Sequence, residues 1–125
     1  MTMRGACVAA LAAISSLACR SPASSAQIEG HWVGVRAEGV NADATAAASA
    51  FATSTELEFR RTDITITTSK ETQFGRYQLV REDAHAVVIT TDLDGPAHPQ
   101  TFVFASDETM RWLLPEGKAI VFVRE

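Results

Sequence analysis

From Gly30 onward, apolar and polar side chains alternate with a period of two, a pattern that leaves a chain few ways to fold. Successive side chains of a β-strand point to opposite faces, so strict alternation specifies strands with one buried face. Leu57 and Phe59 alternate with Glu56, Glu58 and Arg60, and Ile64 and Ile66 with Thr65 and Thr67. Tyr77 and Leu79, Val87 and Ile89, Phe102 and Phe104, Met110 and Trp112, then Ile120 and Phe122 continue the series. With His31 to Arg36 in front, the pattern predicts eight strands.

The connections are mostly short and polar: Arg61-Thr62-Asp63, Glu82-Asp83-Ala84, Ser106-Asp107-Glu108 and Pro115-Glu116-Gly117. Hairpin after hairpin predicts an all-β fold, an eight-stranded antiparallel up-and-down barrel that leaves no free edge; a two-sheet sandwich is the alternative. One segment departs from the period. Asn41 to Thr53 is Ala-rich, with Asn41 placed as an N-cap and Asp43 in the first turn. A short helix between strands one and two follows, with Ala44, Ala47, Ala48 and Phe51 on one face and Phe51 as its anchor. It is expected to lie across one mouth of the barrel.

Trp32, Phe59, Tyr77, Phe102, Phe104, Trp112 and Phe122 all fall on the inward face. Small eight-stranded barrels are either just filled by side chains or hold one small ligand. So many large rings in a short chain favour filling, and an aromatic pocket for an apolar ligand is the other outcome.

Gly30-His31-Trp32 opens the first strand and Arg124 closes the last. Together with an eight-stranded meander, this resembles the lipocalin (calycin) pattern. The resemblance implies that Trp32 packs beneath Arg124 and plugs one end of the barrel, with Gly30, Trp32 and Arg124 as closure residues. The chain is shorter than typical lipocalins, carries a helix after strand one, and has neither their disulfides nor their C-terminal helix. It looks closer to the compact lipocalin-like domains of bacterial lipoproteins.

The start of the chain carries an address. Met1 to Arg4 holds one positive charge, and Gly5 to Leu17 is uncharged and mostly apolar. That run is the length of a secretory h-region and falls short of the roughly 20 residues a membrane-spanning helix needs. Ser16-Leu17-Ala18-Cys19 then resembles the lipobox of bacterial lipoproteins. The resemblance implies a signal peptide over 1–18, a lipid on Cys19, a tether over 19–28 and a barrel domain over 29–125. Arg20, rather than Asp, after the cysteine implies sorting to the outer membrane, facing the periplasm. The alternative is an ordinary secretory signal cut after Ala26, which gives a soluble secreted or periplasmic protein. Cys7 leaves with the leader, so Cys19 has no partner within the chain.

Of 11 basic side chains Arg4 also leaves with the leader, while the 15 acidic ones remain. That sign disfavours nucleic acid. His31 and His85 map to one end of the barrel and His98 to the other, so the three cannot meet within the 2.0–2.1 Å that zinc ligation requires; no metal or other cofactor is expected. Asp92-Leu93-Asp94-Gly95 lacks the third ligand position and the closing Glu of a calcium loop. No nucleophile elbow, phosphate-cradling loop or Cys-x-x-Cys is present, and no enzymatic activity is expected.

A binding or interaction module is the remaining class. Its partner is a small apolar ligand or an envelope protein, with the membrane engaged through the N-terminal lipid; the alternative is a solid barrel, an inhibitor for example, that binds through its loops. The tether ends at strand one, which places the Arg61, Glu82-Asp83 and Asp107 turns near the membrane. The helix and the Ser69–Gln73, Asp92–Gln100 and Pro115–Lys118 connections gather at the far end. Access is therefore expected there, past Phe51, Asp92, Asp94 and His98, while changes in the Glu82-Asp83 turn should be silent.

Overall fold

Strand alternation closes into the expected architecture. The computed structural model describes residues 27–125, so Cys19, the leader and the alternative cut after Ala26 lie outside the described residues. The strands are β1 (Gly30–Glu38), β2 (Glu56–Arg60), β3 (Asp63–Thr67), β4 (Thr72–Glu82), β5 (Ala86–Thr91), β6 (Gln100–Ser106), β7 (Thr109–Leu113) and β8 (Ala119–Arg124). They pair in sequence order, all antiparallel, and β8 returns to β1. A closed ring rather than a two-sheet sandwich results. One helix, α1 (Thr45–Thr53), preceded by a 3-10 turn at Ala42–Ala44, separates β1 from β2.

The register explains where the helix goes. β2 pairs with Gly30 to Val33 alone, whereas β8 follows β1 from Trp32 to Glu38. The upper half of β1 therefore has no strand on its β2 side, and α1 packs there. The Gly34 N–H donates to the Thr55 carbonyl at 2.9 Å, and Ala52 is fully buried against the core. Asn41 caps the segment, its Oδ1 accepting from the Ala44 N–H at 3.1 Å. Phe51 does not anchor the helix. It is 51% exposed, and the buried contact falls on Ala52 instead. The cause is the closeness of the approach: a Cβ on Gly34 would collide with the Ala52 carbonyl, and only a small side chain fits in so narrow a gap.

Inside the ring, Trp32, Leu57, Phe59, Tyr77, Ile89, Phe102, Met110 and Phe122 form one buried cluster, with Ile28 beneath it. Val121 points the other way, yet it is 1% exposed. Arg36 and Arg111 flank it on β1 and β7. Both pair with Glu38, Arg111 Nη2 at 2.9 Å and Arg36 Nε at 3.3 Å.

The β4–β5 turn is held by Asp83, whose carboxylate accepts the His85 N–H at 2.8 Å and the Ala86 N–H at 2.9 Å. Those bonds, His85 first, hold its pKa below the usual 3.8. A depressed folded-state value stabilises the turn above that pH, and the contribution is lost as pH falls through the folded pKa. Asp83→Asn should therefore flatten the acid limb of the stability–pH curve by lowering stability at neutral pH while leaving it nearly unchanged at pH 2, as followed by thermal melts between pH 2 and 7. Gly34→Ala should be far more costly. Forcing α1 away from β1 should destabilise the domain by roughly 1–3 kcal/mol in urea unfolding, the range for overpacking.

Candidate functional site

Two ends of the barrel carry the residues that the sequence singles out. At the closed end, the Arg124 guanidinium carbon lies 4.2 Å from the centroid of the Trp32 ring. Every arm of that guanidinium donates. Nε reaches the Asp107 carbonyl at 3.0 Å, Nη1 the Glu29 carbonyl at 2.6 Å and Nη2 the Gln27 carbonyl at 3.0 Å. Trp32 Nε1 donates to the Ile28 carbonyl at 2.8 Å, so the buried indole has its partner as well. Gly30 makes this possible: a Cβ there would sit 2.6 Å from Arg124 Nη1, and φ is +133°. The three closure residues thus form one unit.

The sequence alone does not reveal the strap that completes this end. Ile28, which falls in the expected tether, is fully buried beneath Trp32. Glu29 adds a side-chain bond, its Oε2 accepting from the Arg61 N–H at 2.6 Å. Arg61 has φ +58°, a position where hairpins favour glycine, and the carboxylate fixes its N–H. An apolar residue four before the tryptophan is the signal that could have revealed Ile28.

The distal rim is braced rather than open. Trp112 stacks on Phe102 with ring centroids 5.9 Å apart and leans on Phe122 at 6.4 Å. Its Nε1 donates to Gln100 Oε1 at 2.9 Å, and Gln100 Nε2 donates to Asp94 Oδ2 at 3.3 Å. Asp92 is also engaged, its Oδ1 accepting the Arg76 N–H at 2.9 Å. Both acids on this rim therefore hold the scaffold. Phe51 and His98 remain solvent-facing, but the structure does not bring them together: α1 packs on β1, while His98 lies between β5 and β6.

Deeper in, further ring contacts fall in two separate groups. Phe59 meets Tyr77 at 5.3 Å and Phe102 at 5.7 Å, and Trp32 meets Phe104 at 5.9 Å, all edge to face. A cleft of about 580 Å³ is present, lined by the outward-pointing Arg76, Gln78 and Thr90 together with Asp92 and the buried Tyr77 and Thr91. Among the described residues, no group of three His, Cys, Asp or Glu side chains is arranged to hold a metal. His31, on the outer wall, spends both ring nitrogens on Glu56 and Glu125, each at 2.8 Å.

This is a closed eight-stranded antiparallel barrel, an arrangement compatible with a lipocalin-like fold. No protein-family model matches the chain, and no curated protein matches it in sequence.

The closure predicts a non-additive pair. Trp32→Ala should cost roughly 3–5 kcal/mol, the range for truncating a large buried aromatic. Arg124→Ala should cost less, and the double variant should cost less than the sum, because each substitution removes part of the same contact. Gly30→Ala, which strains the backbone and displaces Arg124, should cost roughly 1–3 kcal/mol. Urea unfolding of the four variants reads all of this.

Proposed function

We propose that this protein is a lipid-anchored, lipocalin-like interaction module of the bacterial cell envelope, one that binds through its surface rather than around an enclosed ligand. The aromatic ring pairs packed inside the barrel support the second half of that reading. An apolar ligand in the axis would have to displace stacked rings worth about 0.5–1.5 kcal/mol per pair beyond their buried area. The role is binding, not catalysis.

The leader and the lipobox-like Ser16 to Cys19 support the anchor. Residues 27–29 are strapped across the closed end by Arg124. A lipid on Cys19 would therefore hold that end toward the membrane and present Phe51 and His98 on the far side. Outer-membrane attachment facing the periplasm is the favoured location, with release after cleavage at Ala26 as the other.

Three experiments test the reading. Cys19→Ser should release the protein from the membrane fraction and abolish fatty-acid labelling; unchanged fractionation with an N-terminus at Gln27 would contradict the anchor. A photo-crosslinking residue at Phe51 or His98 should yield discrete adducts in cells, whereas the same residue at Ala84, in the proximal turn, should yield none. A fluorescent fatty acid should show no saturable binding to the purified protein. Stoichiometric uptake of that probe would instead restore the enclosed-ligand reading.

A further inference from the structure

The outer wall of the barrel carries a polar cleft that neither the filled core nor the distal rim employs. Its origin is the stagger of the strands. β3 begins at Asp63, opposite Arg76, whereas β4 continues to Glu82 and pairs with β5 from Tyr77 onward. On the other flank the chain turns back after Thr91, whose Oγ1 accepts the Leu93 and Asp94 N–H groups at 3.2 Å each. Tyr77 and Thr91 are buried inward, so the residues beside them, Arg76, Gln78 and Thr90, face out. Thr62 and the Gly95-Pro96 pair supply the rims, and the volume is about 580 Å³. Ligand sites of roughly 300–1,000 Å³ bracket that value.

Arg76 is the informative residue. Asp92 grips its backbone twice, accepting its N–H at 2.9 Å and donating to its carbonyl at 3.1 Å. Its guanidinium makes no ion pair with any other described residue, although Asp63 faces it across the strand pair. A guanidinium offers a planar fork of donors that matches a carboxylate. Asp92 itself lines the cleft and Asp63 faces Arg76 across the strand pair, so both would repel a multiply charged anion, and a single negative charge fits best. The Thr62 and Thr90 hydroxyls and the Gln78 amide add donors and acceptors for polar substituents.

We propose that this cleft binds a small, polar molecule bearing one carboxylate, held by Arg76 through two hydrogen bonds and read by Thr62, Gln78 and Thr90. The site does not depend on the distal-rim reading, since Phe51 and His98 lie outside it. The test is an NMR titration of the isotopically labelled full chain with N-acetyl-L-glutamine, its carboxamide analogue N-acetyl-L-glutaminamide, and inorganic phosphate. The first should give saturable shifts at the Thr62, Gln78, Thr90 and Gly95 amides, and the other two should not. Arg76→Gln should weaken binding by about tenfold or more, the effect of losing a charge-assisted pair, with the melting temperature unchanged. Arg76→Lys, which keeps the charge but not the fork, should fall between, and Arg81→Gln, outside the cleft, should bind normally. No saturable shift with the carboxylate, equal binding of the carboxamide or of phosphate, or full binding by Arg76→Gln would each overturn the proposal.

Discussion

A cation over an indole, with all three arms of the guanidinium tied to backbone carbonyls, is the contact on which the barrel depends. Cation–π attraction contributes about 0.5–2 kcal/mol on its own, depending on desolvation. The geometry adds what that figure omits. Arg124 reaches carbonyls at Gln27, Glu29 and Asp107, so one side chain joins the strap before β1, the β6–β7 turn and the last strand. Without it, those carbonyls lose their partners at the base of the barrel, two of them at part-buried positions beside buried Ile28 and Trp32. The closed end is thus satisfied in both hydrogen bonding and packing, and the rest of the ring can be asymmetric.

That asymmetry sits at the other end. The upper half of β1 exchanges a strand neighbour for a helix, and Trp112 is held in place by a chain of donors through Gln100 to Asp94. Polar side chains at the mouth therefore position an aromatic side chain that packs on the core rings. The protein's outer surface carries a helix with a half-exposed phenylalanine, a long loop, and a side cleft produced by strand stagger. Such features bind by shape and charge, and small changes in loop sequence would alter them without disturbing the ring.

Much of the fold was legible in the sequence because the period-two pattern is a direct image of the pleat. Leu57 and Phe59 or Ile120 and Phe122 announce their faces without knowledge of any neighbour. Gly30, Trp32 and Arg124 were legible through resemblance, and their contacts supplied the reason. What could not be read depended on register. The failure of β2 to follow β1 past Val33, which decides that Ala52 rather than Phe51 is buried, has no local signature. The same holds for Ile28, for the burial of Val121 between two flanking arginines, and for the cleft at Arg76. Each arises from residues far apart in the chain that meet only once the stagger of the ring is set.

The strap and the closing strand also impose an order on folding. β1 is the first strand to be made, but half of its length pairs with β8 alone, and the segment before it is fastened by Arg124. Hairpins from β2 to β7 can form from neighbours, since each pairs with the next strand in sequence. Contacts that span nearly the whole chain carry a high entropic cost before they are repaid, and they form late. The chain therefore resembles a row of hairpins waiting for its two ends. Closure is the step that joins the facing edges of β1 and β8, each of which otherwise pairs only with its neighbour in sequence.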